Sequence, residues 1–272
     1  MSARLTVRTV EKPWGVDRLP APFATPDGKR IGEIWFEPPP ALDALLVKYL
    51  FTSEKLSVQV HPDDAQTFSA TRRREGKEEC WLIVGCEPGA KVGIGFETAI
   101  DSETMRAAAL DGSIERRIRW FDVAPGDFFY IPANTVHAIG PGCSLIEIQQ
   151  NSDITYRLYD YGRPRELHLD AAVAVAKGEP HPADLRRRVA ERGEIALVEG
   201  PLFRLDRLDG PPSQGVVERY SGAFLAIPVS GTIAVDDEEI EPGACALVHR
   251  WSALAVGADS QVLIAQPLAG TR

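Results

Sequence analysis

Short runs of alternating hydrophobic and polar residues recur along the chain and predict a protein built mainly from β-strands. In residues 56–61, three aliphatic side chains alternate with Ser57, Gln59 and His61, which gives the two-residue period of a strand. The 21 prolines and 23 glycines lie scattered between such runs, a pattern typical of many short strands joined by turns. Residues 144–150 and 155–159 predict a further, hairpin-like pair of strands.

The polar face of the strand at residues 56–61 allows two interpretations. Gln59 and His61 lie two residues apart, so both side chains project from the same face. A strand at the edge of a sheet, with this face in water, would account for the pattern. If the face instead points inward, both groups need a partner, because buried polar groups without one are costly. A metal ion would provide such a partner.

Two further stretches add side chains of the types that bind metals. Glu79 comes directly before the apolar residues 80–84, and His137 follows a turn that contains Pro132 and Asn134. Two imidazoles, one carboxylate and the amide oxygen of Gln59 would suit a divalent transition metal. The order of these residues on successive predicted strands favours the metal-site interpretation.

Helical patterns are short, and one segment of the chain is repeated. Residues 102–112 predict a helix that Asp101 or Ser102 caps and Gly112 ends. Residues 179–193 predict a second helix, within a linker. Residues 125–140 align without a gap to residues 242–257, and Leu254 stands where the first copy has His137. The repeat predicts two similar units, of which only the first holds a metal.

Composition and charge narrow the class of protein. The 272 residues are 44% hydrophobic and 25% charged, as in ordinary globular proteins. The formal net charge of -9 argues against nucleic acid as a partner but leaves room for an anionic small molecule. The four cysteines form no Cys-x-x-Cys pair, which predicts no disulfide framework. The N-terminus has no apolar signal core, and no apolar run is long enough to span a membrane, so we expect a cytoplasmic protein.

The motifs resemble those of a known family. The pattern Gly126-x5-Pro132-x-Asn134-x2-His137 resembles the second motif of cupins, small antiparallel β-barrels that hold a metal. Residues 56–63, 77–81, 130–140 and 150–160 together resemble type I mannose-6-phosphate isomerases, and the ordered match covers about residues 51–170. The resemblance implies a mainly β fold of two cupin-type jelly-roll barrels. It implies a metal-binding barrel at residues 1–178, a helical linker at 179–194 and a degenerate second barrel without metal at 195–272.

The resemblance also implies a set of site residues. One zinc ion is expected per chain, bound by Gln59, His61, Glu79 and His137. Glu78, the neighbour of Glu79, is interpreted as facing solvent. Arg157 falls on the active-site arginine of the family, and Lys77 and Ser57 fall on positions that line its substrate pocket. We therefore expect Arg157 and Lys77 to act in catalysis, and Ser57, Lys77 and Arg157 to bind substrate. Trp14 and Trp35 are interpreted as core residues rather than as the floor of the pocket.

The implied reaction interconverts mannose 6-phosphate and fructose 6-phosphate through an enediolate, whose negative charge must be stabilised. Three candidates for the base stay open: Lys77, a water on the zinc, and Glu147. Longer family members carry a helical domain for which this chain has no room, so the phosphate is expected to be bound differently. We expect a monomer or homodimer whose ligand is a small sugar phosphate.

Two other functions remain open. A cupin oxygenase is one, because two histidines and a carboxylate also bind iron(II), although a fourth ligand from Gln59 argues against it. The other is a barrel that binds a sugar phosphate without turnover. Arg157 also has an alternative role, a salt bridge at the rim of the barrel with Asp153 or Asp160.

Overall fold

The computed structural model describes residues 3–189 and 192–268, and it consists mainly of antiparallel β-sheets. The first sheet contains, in spatial order, β1 (Val7–Val16), β2 (Ile31–Phe36), β3 (Leu45–Phe51), β10 (Cys143–Gln150), β5 (Glu79–Cys86), β8 (Asp127–Ile131) and β12 (Arg186–Arg188). The second sheet contains β11 (Tyr156–Tyr159), β4 (Val58–Val60), β9 (His137–Ile139), β6 (Lys91–Phe96) and β7 (Ile118–Asp122). The prediction of a mainly β, antiparallel fold is confirmed. Within residues 3–189 the strands form two facing sheets rather than a closed barrel.

A second pair of sheets follows in the C-terminal part. The third sheet contains β13 (Ile195–Glu199), β14 (Phe203–Asp209), β20 (Gln261–Pro267), β15 (Phe224–Ser230) and β18 (Ala246–Val248). The fourth contains β17 (Glu238–Ile240), β16 (Ile233–Val235) and β19 (Leu254–Val256). The two repeated segments have the same arrangement, because β8 and β18 lie in the larger sheets while β9 and β19 lie in the smaller ones. His137 and Leu254 each begin the three-residue strand of their own copy.

Apolar layers hold the sheets together. Trp81 and Leu145 from the first sheet pack with Val92 and Ile94 from the second, which forms a core between these two sheets. The other face of the first sheet packs against the third sheet, so both larger sheets share one core. Burying such side chains stabilises the fold by about 1.5–3 kcal/mol each. Much of the space between the first and second sheets is therefore apolar, and polar groups placed there need partners.

The helices are α1 (Asp64–Thr71), α2 (Ser102–Asp111), α3 (Ile114–Arg117), α4 (Leu169–Val175) and α5 (Gln214–Arg219). The helix predicted at residues 102–112 is confirmed as α2. The Asp101 carboxylate accepts a hydrogen bond from the Thr104 N–H at 2.8 Å, and Gly112 ends the helix with φ of 77°. None of the described helices has both the length and the apolar character needed to cross a membrane.

Two local predictions are wrong. The described part of the predicted linker helix contains a short 3-10 turn at Ala183–Leu185 and the edge strand β12. Pro180 and Pro182 lack the N–H groups that a helix uses, and the free edge of β8 offers backbone partners to residues 186–188 instead. The predicted hairpin is also absent, because β10 belongs to the first sheet and β11 to the second. The domain limits at residues 178 and 195 stay a prediction.

Candidate metal centre

The candidate ligands come from both sheets that enclose the N-terminal core. Gln59 lies in β4 and His137 in β9, and the two residues are direct cross-strand partners in the second sheet. His61 comes just after β4, where the chain leaves the sheet. Glu79 begins β5 of the first sheet and faces the histidines across the space between the sheets. The antiparallel register thus brings together side chains that are far apart in the sequence.

His61, Glu79 and His137 form a compact and buried group. One Glu79 oxygen, Oε2, lies 3.5 Å from His61 Nε2, and the other, Oε1, lies 3.4 Å from His137 Nε2. All three ligand atoms lie within 4.8 Å of one another, and the side chains are at most 2% exposed. Within residues 3–189 and 192–268, no other set of three or more His, Cys, Asp or Glu side chains is arranged to hold a metal ion.

Backbone carbonyls orient both imidazole rings. His61 Nδ1 lies 2.8 Å from the carbonyl oxygen of Ile154, and His137 Nδ1 lies 2.9 Å from that of Thr135. A carbonyl oxygen only accepts hydrogen bonds, so each Nδ1 donates and each Nε2 keeps its lone pair. Metal-bound histidines are commonly held in this way. Both Nε2 atoms face Glu79.

The charge states of the group fit a divalent cation. Burial and the charge of Lys77 lower the pKa of His137 to about 4 and that of His61 well below its usual range, so both rings are neutral at pH 7. Burial and the nearby Glu147 carboxylate raise the pKa of Glu79 to about 7. Glu79 Oε1 is buried and has no hydrogen-bond partner among residues 3–189 and 192–268. A bound cation would satisfy this oxygen and stabilise the ionised carboxylate.

Gln59 lies against the group with its amide nitrogen toward it. Its Nε2 is 3.2 Å from His137 Nε2, and its Oε1 accepts a hydrogen bond from the Ser57 hydroxyl at 3.2 Å. The oxygen and nitrogen of an amide are distinguished only by such contacts. A half-turn of the amide would direct the oxygen toward the group and let the amide nitrogen donate to Ser57. The ligand role of Gln59 stays a prediction.

Lys77 is a buried cation beside the same group. Its Nζ lies 3.0 Å from His61 Nε2, donates to the Glu79 carboxylate, and lies 4.0 Å from Glu147 Oε1. Burial alone would lower the pKa of Lys77, but the two carboxylates outweigh it and raise the pKa above its ordinary value. Lys77 is therefore placed as a hydrogen-bond donor next to the candidate metal ligands.

A second buried ion pair borders the candidate metal ligands, and the sequence pointed to only one of its members, Glu147. Glu147 Oε1 accepts from Lys48 Nζ at 3.1 Å, and its Oε2 accepts from Trp81 Nε1 at 3.0 Å. Burial acts to raise the pKa of Glu147, but the charges of Lys77 and Lys48 dominate and lower it to about 2. Lys48 and Glu147 are direct partners in the β3–β10 register. Lys48 was not identified from the sequence, where the one available signal is a polar residue within each of two apolar strands.

A cleft of about 90 Å³ lies beside the candidate metal ligands and opens to solvent. Five cationic side chains and three carboxylates line it, so the cations are in excess: Lys12, Lys48, Lys77, Arg157 and Arg165 against Glu33, Glu147 and Asp153. Ser57 and Gln59 also line it, and so do Trp14 and Trp35, which extends their predicted role beyond core packing. The cleft thus combines positive charge with aromatic walls, a combination suited to an anionic ligand.

Arg157 faces this cleft as a cation that is free to bind a ligand. It lies directly opposite Gln59 in the β11–β4 register, so both side chains project from the same face of the sheet. No carboxylate of the described residues pairs with it, and its NH1 donates only to the Glu166 carbonyl at 3.5 Å. Arg163 and Arg165 bind Asp160 instead, which contradicts the salt bridge with Asp160 considered from the sequence.

Glu78 points away from the metal group. It is half-buried and accepts a hydrogen bond from the Tyr130 hydroxyl at 2.8 Å. Its interpretation as a solvent-facing residue is therefore wrong, because its carboxylate is only partly exposed and is bonded by the Tyr130 hydroxyl. The assignment of the ligand role to Glu79 rather than Glu78 agrees with this geometry.

Known proteins resemble this chain in sequence over part of its length. No protein-family model matches it. The chain is 44% identical over 137 residues to mannose-6-phosphate isomerase ManA of Bacillus subtilis, covering 48% of this chain and 43% of that protein. It is 40% identical over 169 residues to the mannose-6-phosphate isomerase of Streptococcus mutans, covering 58% of this chain and 52% of that protein. The chain spans about half the length of the curated relatives it matches.

Solved structures resemble it over nearly the whole chain. The mannose 6-phosphate isomerase from Bacillus subtilis has a TM-score of 0.74 and 24% identity, covering 97% of this chain and 98% of that one. A putative mannosephosphate isomerase from Archaeoglobus fulgidus has a TM-score of 0.72 and 17% identity, covering 97% and 96% of the two chains. The predicted resemblance to type I mannose-6-phosphate isomerases is confirmed. At these structural identities the likeness establishes the fold.

Proposed function

We propose that this protein is an aldose–ketose isomerase that interconverts mannose 6-phosphate and fructose 6-phosphate with the help of one zinc ion. The observation that carries the proposal is the pairing of a buried His61–Glu79–His137 group with an adjoining cationic cleft. Relatives that share 38–44% of residues over about half their length bear the name of this activity. The isomerase requires both a means to stabilise negative charge and a place for a phosphate, and the site offers both.

His61, Glu79 and His137 would hold the zinc ion, with the amide oxygen of Gln59 as a fourth ligand. Imidazole nitrogens and a carboxylate oxygen are ordinary zinc ligands, and three neutral ligands with one carboxylate leave a net positive charge. When bound, the ion supplies Lewis-acid stabilisation of negative charge on the substrate oxygens. In the second unit, Leu254 stands at the position of His137. We therefore propose that residues 1–178 carry the active site and that residues 195–272 hold no metal.

Lys77 and Arg157 would stabilise the enediolate that forms as a proton moves between C2 and C1. Both are cations with hydrogen bonds to donate, and both line the cleft beside the candidate ligands. Lys77 lies between two carboxylates and is protonated without the ion, whereas a cation bound to Glu79 would act to lower its pKa and let it carry the proton between C2 and C1. Glu147 accepts hydrogen bonds from Lys48 and Trp81. These donors stabilise its ionised form and make it a weak base. Ser57 would fix the orientation of the Gln59 amide.

The phosphate group would bind toward Lys12 and Arg165. Lys12 pairs with Glu33 at 3.2 Å, and Arg165 binds Asp160 through two hydrogen bonds of 2.6 Å. Both cations also line the cleft, so they provide positive charge without the helical domain of longer family members. A cytoplasmic location and a monomer or homodimer remain part of this proposal.

The test is an isomerase assay combined with solvent-proton exchange at C2 of mannose 6-phosphate. We expect exchange and formation of fructose 6-phosphate by the zinc-loaded protein, and loss of both after chelation. His61→Ala should abolish both, whereas His249→Ala, a histidine of the second unit, should leave them unchanged. Oxygen consumption by the iron-loaded protein without isomerisation would contradict the proposal, and so would binding of mannose 6-phosphate without exchange.

A further inference from the structure

A groove on another edge of the N-terminal sheet pair contains an unusual concentration of arginine. It lies between β7, the edge strand of the second sheet, and β12, the edge strand of the first. Its volume is about 640 Å³, and none of the residues that line it also lines the cleft beside the metal centre. A volume of this size is within the range that small-molecule sites occupy. The groove is thus distinct from the cleft beside the candidate metal ligands.

Two arginines in the groove converge on one aromatic ring. The Arg186 guanidinium carbon lies 4.5 Å from the centroid of Phe121, and that of Arg119 lies 5.3 Å from the same centroid. Attraction to the ring holds each guanidinium group in place, while the two positive charges repel each other. An anion between them would relieve this repulsion. The ring of Phe129, 6.0 Å from that of Phe121, continues the apolar wall.

Arg186 lacks a carboxylate partner in the part of the chain that the structure describes. Its Nε is buried and donates no hydrogen bond. The nearby carboxylates are engaged elsewhere, since Asp127 accepts from Arg188 at 2.6 Å and Asp122 pairs with Lys91 at 3.1 Å. Only Glu97 approaches Arg119, at 3.9 Å. The groove therefore keeps an uncompensated positive charge centred on Arg186, and a buried donor without an acceptor is costly.

We propose that this groove binds a phosphate-bearing small molecule. The phosphate oxygens accept hydrogen bonds from Arg186 and Arg119, whose planar guanidinium groups match a phosphate through paired donors. The rest of the molecule lies along Phe121 and Phe129. This site does not depend on the proposed isomerase activity, because it shares no residue with the metal centre or its cleft.

The test is calorimetric titration of the full chain with inorganic pyrophosphate and, separately, with adenosine diphosphate. We expect at least one of these probes to bind, with the diphosphate group as the shared determinant. Arg186→Gln should weaken binding at least tenfold, and Arg119→Gln, at a more exposed position, should weaken it in the same direction. The matched control is Arg204→Gln, which removes a guanidinium group 5.5 Å from the ring of Tyr220 outside the groove and should leave binding unchanged.

Three outcomes would overturn the proposal. The parent protein binds neither probe, or the folded Arg186→Gln and Arg119→Gln variants bind as tightly as the parent. The third is that Arg157→Gln, altered in the cleft, loses binding to the same extent as Arg186→Gln, because the probes would then occupy the cleft. Circular dichroism of each variant establishes that it is folded before titration.

Discussion

Replacement of Glu147 by glutamine tests the buried charge network beside the metal centre. Glu147 is 4% exposed, accepts hydrogen bonds from Lys48 and Trp81, and lies 4.0 Å from the Lys77 ammonium. Glutamine keeps the shape of the side chain but removes its charge. Lys48 then loses the carboxylate that pairs with it, and Lys77 keeps only its pair with Glu79. The free energy of unfolding should therefore decrease.

The size of the loss follows from the burial of the ion pair. Removing one partner of a buried pair costs about 3–5 kcal/mol. Because the glutamine oxygen still accepts one hydrogen bond, we expect a loss of about 3 kcal/mol. The matched control is Glu37→Gln, which breaks a surface pair with Arg8 at 3.0 Å between side chains that are 46% and 53% exposed. Water screens that pair, so the control should lose at most about 1 kcal/mol.

The assay is urea unfolding of the metal-free protein at pH 7, followed by tryptophan fluorescence. The reasoning would be refuted if Glu147→Gln and Glu37→Gln unfolded at the same urea concentration. The pH dependence gives a second measurement. The pKa of Glu147 is lowered to about 2 from an ordinary 4.5. Its contribution to the free energy of unfolding is therefore present above pH 4.5 and is lost as the pH falls toward 2. The difference in the free energy of unfolding between the parent and Glu147→Gln should decrease over the same pH interval.

Three further predictions concern the metal, the cleft and acid stability. His137→Ala should lose both bound metal and activity, whereas Leu254→Ala should change stability alone; metal analysis and thermal unfolding measure this, and retained metal in His137→Ala would contradict it. Arg157→Ala should lower kcat by about 100-fold or more, as loss of a donor to a developing oxyanion does, with metal content unchanged. Loss of metal would show instead that Arg157 is needed to hold the ion. Burial, followed by the charge of Arg186, lowers the pKa of His181 to about 4 from an ordinary 6.5, so its contribution is present above pH 6.5 and is lost as the pH falls toward 4. His181→Gln should therefore lose about 3 kcal/mol less of its free energy of unfolding over this pH interval than the parent does. Equal urea midpoints of parent and variant across the interval would contradict the lowered pKa of His181.

Much of the fold follows from local sequence patterns. Alternation identified β4, and capping residues located α2 to within one residue. Helix α1 was missed, although Asp63 and Gln66 form a capping box whose two hydrogen bonds are each 2.8 Å long. The sheet to which a strand belongs is not a local property. The turn at residues 151–153 is consistent with a hairpin, but core packing places β10 and β11 in different sheets.

The candidate site divides in the same way. The sequence identified His61, Glu79 and His137 as candidate ligands, because each is a metal-binding residue type at one end of an apolar strand pattern. Lys48 could not be assigned from its neighbours, because its role arises from the partner opposite it in the β3–β10 register. The ionisation of Lys77 likewise depends on two carboxylates at positions 79 and 147, which only the tertiary structure brings together.

The two repeated segments share the placement of their strands but differ in the polar residues that the candidate metal site needs. β8 and β9 have the same placement as β18 and β19, and the residue that begins the short strand is His137 in one copy and Leu254 in the other. The C-terminal sheets fill the space between them mainly with apolar side chains such as Phe224, Val235 and Ile264, next to the buried carboxylate of Asp206, whereas the N-terminal sheets place a group of buried charges there. The same strand arrangement thus supports either interior. The candidate metal centre therefore depends on a few polar residues and their mutual hydrogen bonds, and not on the strand arrangement alone.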